Sequence, residues 1–159
     1  MTTSNELLNN NNAITATGLA SLASGSTYAL AAVDNTTNQD FDAALQVKLK
    51  SGASGVTSTG TAIIYAIGSA DGGTTWPEGY AGSAGALTLT SPTNLRIIGI
   101  LNMVANATSY TSNPVSVAAA FGYLPGKWAI AIGNSTGGAF DSTGGNFSVI
   151  YERIRVASA

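Results

Sequence analysis

The chain has 159 residues, of which 45% are hydrophobic and only 9% charged, with 19 glycines, no cysteine and no histidine. Six basic and eight acidic side chains give a net charge of −2 and a pI near 4.7, so phosphate backbones and anionic lipid are not expected partners. Without cysteine there are no disulfides or thiolate metal sites, and without histidine no Ser-His-Asp arrangement and no imidazole ligand.

Residues 1–25 come first, through "NELLNNNNAITATGLASLASG". This stretch has an Asn run and small side chains with little to bury, and it is expected as an extended N-terminal arm, mobile alone and ordered against a neighbouring chain. Leu7, Leu8 and Ile14 are its candidate partner contacts. It lacks a positive n-region and an apolar h-region, so no secretory signal is expected and synthesis is placed in the cytoplasm.

Residues 26–159 read as one all-β domain. In "DAALQVKLK" Ala43, Leu45, Val47 and Leu49 share one face, while Ala44, Gln46, Lys48 and Lys50 share the other. Including this one, eight β-rich runs lie at 28–33, 42–50, 62–67, 86–90, 95–103, 115–121, 128–132 and 147–156, separated by Gly, Asn, Ser and Pro clusters. About eight short strands of this kind make an antiparallel, jelly-roll-like β-sandwich the expected fold. The longest apolar stretch, from Ile97, is too short and too rich in Asn to span a membrane.

Between two of these runs stands "SADGGTTW", residues 69–76. Asp71 offers a side-chain acceptor to nearby N–H groups, and Gly72 and Gly73 are free to take positive φ, which is turn chemistry. The spacing resembles the Asp-box of sialidases and related repeats, where it forms a structural loop away from the catalytic centre. That resemblance makes Ser69, Asp71, Gly73, Thr75 and Trp76 fold residues. A propeller would need the motif several times at blade spacing, and it occurs once. The Gly-rich loop that follows, 76–86, is expected to expose Trp76 and Tyr80, either as a contact surface or as a long hairpin connection.

Paired carboxylates are the remaining conventional route to catalysis. Asp40 and Asp42 flank Phe41 at a strand entrance, and Asp71 and Glu78 lie across one loop, although turn formation accounts for such residues as well. "GYLPGKWA" fails as a phosphate loop, with three residues between its glycines and Trp128 where Ser or Thr is needed. Four Asn-x-Ser/Thr sequons, at Asn35, Asn106, Asn134 and Asn146, match chance in this composition. Arg96, Arg153 and Arg155 read as solvated strand faces, with Arg153 and Arg155 placed to meet a partner carboxylate. No catalytic, cofactor or metal residue is assigned, and the chain is not expected to be an enzyme.

In order along the chain, "ASLASGSTYALAAVDNTTNQDFDAALQVKLKSG", "GTAIIYAIGSADGGTTWPEG", "LPGKWAIAIGNSTGGAF" and "NFSVIYERIRV" resemble small β-sandwich virion proteins of tailed bacteriophages. The resemblance implies a structural virion protein: a capsid decoration or cement protein, a head fibre or a minor tail part. It implies the major capsid protein as partner, a homo-oligomer with a trimer as the expected state, and a place on the capsid surface. The alternative is a tail- or fibre-associated module that binds host glycan through Trp76 and Tyr80, and least favoured is a carboxylate-based glycosidase.

Overall fold

The computed structural model describes the backbone of residues 3–158 and the side chains of 11–155. Strands dominate, and the helical segments among the described residues are four single 3-10 turns of three residues. The strands are β1 (Thr3–Ile14), β2 (Thr27–Ala29), β3 (Val33–Asp34), β4 (Asp42–Lys50), β5 (Thr61–Ser69), β6 (Gly85–Leu87), β7 (Arg96–Asn102), β8 (Ser109–Thr111), β9 (Val115–Ser116), β10 (Lys127–Ser135) and β11 (Ser148–Ser158). They form an antiparallel β-sandwich. One sheet runs β1-β11-β4-β8 with β9 also on β4, and the other runs β6-β2-β10-β5-β7 with β3 also on β10.

The alternation of β4 is realised as expected. Ala43, Leu45, Val47 and Leu49 are buried against Ala62, Ile64, Trp128, Ile130 and Ile132 of the opposite sheet. Each fully buried aliphatic side chain of this kind contributes about 1.5–3 kcal/mol. By contrast, β5 and β10 are apolar on both faces. Their outer faces, through Tyr65, Ile67, Ala129 and Ala131, bury under a second cluster formed with Tyr80, Leu87 and Leu95. A sheet covered on both sides explains why "TAIIYAI" and "WAIAI" read as continuous apolar runs instead of alternating.

The division at residue 25 has no counterpart in the packing. From Thr3 the chain forms β1, which pairs with β11 from Thr3↔Ser158 to Ile14↔Val149. Ile14, Ala16 and Leu19 are part of the main core. The neighbour that orders this segment is the chain's own last strand, since an Asn-rich strand needs only a ladder of backbone hydrogen bonds. Two other segments also differ from expectation. Residues 28–33 break into β2 and β3, and 115–121 is a two-residue strand followed by a 3-10 turn at Ala118–Ala120.

Candidate functional site

The acidic residues show first where reactive chemistry is and is not assembled. In the 69–76 turn, the Ser69 hydroxyl donates to Asp71 Oδ1 at 2.7 Å and accepts the Gly73 N–H at 2.8 Å. The N–H groups of Thr74 and Thr75 donate to the same Oδ1 at 3.0 and 2.9 Å, and the Trp76 indole N–H donates to the Gly73 carbonyl at 2.9 Å. These bonds, those from Thr75 first, hold the Asp71 carboxyl well below the usual carboxylate range. Gly73 has φ +93°, and a Cβ there would meet the Lys127 side chain at 2.8 Å, so this position requires glycine. All five residues of the motif are therefore used in closing the turn.

Glu78 does not meet Asp71. Its Oε1 accepts the Asn94 N–H at 2.6 Å and the hydroxyls of Thr90 and Thr93, while Oε2 accepts the Thr90 N–H at 2.7 Å. The backbone N–H groups of Asn94 and Thr90 lower its pKa to about 2. Asp42 Oδ1 accepts the N–H groups of Ala43 and Ala118. Asp40 is turned away from Asp42 and forms a two-bond pair with Arg153, at 2.6 and 3.0 Å. Arg153 is thus no solvated face, and its carboxylate comes from the same chain. Each of the four carboxylates proposed in pairs is engaged separately in holding a loop.

Trp76 and Tyr80 are corrected in the same way. Tyr80 is buried, its hydroxyl donates to the Leu30 carbonyl at 2.6 Å, and burial pushes its pKa up to about 12. Trp76 is half-buried and stands edge-on to it, with ring centroids 5.0 Å apart. Both pack on the outer face of the second sheet. Ile14 is likewise buried in the main core, and the side chains of Leu7 and Leu8 lie outside the described residues.

A different surface emerges at one end of the sandwich. There β10 begins at Lys127 opposite Asp34 and Ser69, and β4 begins at Asp42 opposite Ile154. The 35–41 and 117–126 loops meet across this end: the Asn35 N–H donates to the Gly126 carbonyl, and the Phe41 N–H donates to that of Ile154. Gly68 permits the crossing, because a Cβ there would meet Pro125 at 2.9 Å and Phe121 at 3.1 Å. Phe41 and Tyr123 project outward, 63% and 55% exposed. They line a concavity of about 370 Å³ with Gln39, Asp40 and Leu124. A second concavity of about 430 Å³ shares those last three residues and continues to Asn35, Thr36 and Gly126.

Beside this groove the sheet extends. Pairing of β11 with β4 stops at Ile154↔Asp42, but pairing with β1 continues through Ser158↔Thr3. The last four residues of β11, with Thr3 to Glu6, make a two-stranded ribbon that runs past the body of the sandwich. The one charge lining the groove, Asp40, is neutralised by Arg153. The end therefore presents two aromatic rings, amides, a hydroxyl and a strand ribbon. Among the described residues no three His, Cys, Asp or Glu side chains gather to hold a metal.

Sequence reasoning passed over Phe41 and Tyr123. Extending the β4 alternation backward places Phe41 inward, but the Asp40–Arg153 pair and the positive φ of Gln39, 51°, redirect the chain just before the strand begins. The available signal was a large aromatic between two carboxylates, and a second one after a glycine in "FGYLPG".

The fold and this surface define a two-sheet antiparallel β-sandwich with a candidate interaction end. In comparisons with known proteins, no family model, no curated protein and no solved structure matches the chain.

Proposed function

We propose that this chain is a structural protein of a tailed-phage virion, a capsid decoration protein that binds the major capsid protein and stabilises the head. On this reading it is made in the host cytoplasm and taken onto the capsid surface. The observation that carries the reading is the gathering of the ribbon, Phe41 and Tyr123 at one end of a charge-poor sandwich. A protein crowded among its neighbours gains from a surface with few charges, since like-charge repulsion between copies stays small. Exposed aromatic rings are the side chains that most often dominate binding energy when a partner covers them.

Co-sedimentation with purified capsids tests the reading. Phe41→Ala and Tyr123→Ala are each expected to weaken binding at least tenfold, a loss of about 1.4 kcal/mol. Capsids that do not retain the wild-type chain would sink the proposal.

The groove itself favours a second reading, a tail- or fibre-associated module that binds neutral host glycan. Aromatic faces stack on sugar rings, and Asn35, Thr36 and Gln39 supply uncharged hydrogen-bonding groups. Binding of neutral oligosaccharides on an array, lost in Phe41→Ala, together with no affinity for capsids, selects this reading over the first.

A further inference from the structure

Strand β7 is the outer strand of the six-stranded sheet and is paired with β5 alone. Its other side offers a row of backbone N–H and C=O groups with no strand partner in the fold, a template on which another strand can pair. Most edge strands of this sandwich are short: β6 and β8 have three residues each and β9 has two. β7 has seven residues, no proline, and one charge, Arg96, at its very start. Charge, proline and brevity do not blunt it along its length; what modifies the edge is a bulge within the strand and the approach of β9 and the 3-10 turn Ala118–Ala120.

The side chains of β7 follow an unusual order. Ile64 faces Gly99 while the next residue, Tyr65, faces Ile97, so Ile98 is an extra, bulged residue. Gly99 and Leu101 lie opposite the core residues Ile64 and Ala62, and Ile98 packs against the same core. Ile97 and Ile100 lie opposite Tyr65 and Ile63 on the outer face and are 55% and 56% exposed. From 97 to 100 the order is out, in, in, out, which reads the same in both directions.

We infer that β7 pairs with β7 of a second copy of this chain, antiparallel, about a twofold axis between Ile98 and Gly99. That register sets Ile97 of each copy beside Ile100 of the other on the outer face, and Ile98 beside Gly99 on the inner face. Two six-stranded sheets become one sheet of twice the width. Directly opposed apolar residues stabilise antiparallel pairs, and here the palindrome makes the match self-complementary. Charge permits it. Residues 97–126 contain no charged side chain, and the register sets each Arg96 opposite Leu101. The two arginines are then five strand positions apart, about 17 Å at a rise of about 3.4 Å per residue, beyond the screening length at ordinary salt. A twofold contact closes a dimer, in place of the trimer expected from the resemblance.

The inference does not depend on the virion reading, because it concerns the isolated protein. Sedimentation velocity of the full chain over about 5 to 200 µM reads it directly. The wild type is expected to shift from monomer to dimer with concentration. Ile100→Lys, at an exposed position, is expected to weaken dimerisation more than tenfold, while its melting temperature matches the wild type's at concentrations where both are monomers. Amide exchange supplies the second readout, with the N–H groups of 97–102 slowing as the dimer forms. A monomer at every concentration, a trimer, or a dimer untouched by both Ile97→Lys and Ile100→Lys would overturn the assignment.

Discussion

Replacing Arg153 by Met isolates the interaction that holds the groove in shape. The guanidinium makes two bonds to Asp40, at 2.6 and 3.0 Å, and the two side chains are only 15% and 6% exposed. Asp40 is fastened on its backbone as well, since its N–H donates to Asn35 Oδ1 and its carbonyl accepts from Asn35 Nδ2. These bonds fix the backbone at Asp40, and its carboxylate is held at 6% exposure beside the guanidinium. Leaving a buried charge without its partner costs about 3–5 kcal/mol. For a chain of this length each kcal/mol moves the melting temperature by about 2–4 °C, so the expected fall is on the order of 10 °C. Replacing both members, Asp40→Leu with Arg153→Met, is expected to recover most of the loss, because the intact pair is itself offset by its desolvation. Thermal and urea unfolding of the two single variants and the double variant make the measurement. A cost below about 1 kcal/mol for Arg153→Met would place the pair in the class of solvent-screened surface bridges and refute the reasoning.

Asn134 is buried and satisfied four times: its amide donates to the carbonyls of Leu22 and Gly138, and its Oδ1 accepts the N–H and hydroxyl of Thr136. Asn134→Ala leaves the buried Thr136 N–H without its acceptor, while the Leu22 carbonyl keeps the Phe140 N–H and the Gly138 carbonyl keeps the Thr136 hydroxyl, so the expected cost by chemical denaturation is about 1–3 kcal/mol. Stability against pH should show a plateau with two falling edges. Glu78 and Asp141 are lowered from 4.5 and 3.8 to about 2 by their hydrogen bonds, chiefly from the Asn94 N–H and the Asn146 side chain, so their contribution is complete above about pH 5 and is lost as pH falls through the folded values. Tyr80 is raised from 10.0 to about 12 by burial, so its contribution holds below pH 10 and disappears as pH rises through 12. With no histidine in the chain, melting temperatures between about pH 5 and 9 should be nearly level, and a transition near pH 6.5 would contradict the assignment. A truncation that begins at Gly25 removes Ile14, Ala16 and Leu19 from the core together with an edge strand, and circular dichroism is expected to show an unfolded or strongly destabilised chain.

The parts of this fold that could be read from sequence are those in which local chemistry and tertiary packing agree. The alternation of β4 survives because one face meets the core and the other does not, and the 69–76 turn closes through side chains only a few residues apart. Where the deciding contact is distant, the reading failed. β1 looks disordered because its Asn run has little to bury, yet its partner is β11, more than a hundred residues later. Trp76 and Tyr80 look exposed in a Gly-rich loop, but they cover a second apolar face that exists because β5 and β10 are flanked on both sides. Arg153 looks like a wet-face residue until the 35–41 turn brings Asp40 to it. The interaction end depends on two loops 80 residues apart meeting over Gly68, and no local pattern encodes that meeting.

The central claim is that this chain is a structural component of a virion, and its copy number there tests the claim most directly. Quantitative mass spectrometry of purified particles, normalised to the major capsid protein, is expected to count hundreds of copies per virion, as placement over a capsid lattice requires. Complete absence from purified particles would contradict the virion assignment, and a few to a few tens of copies would contradict decoration and move the chain to a tail or vertex fibre.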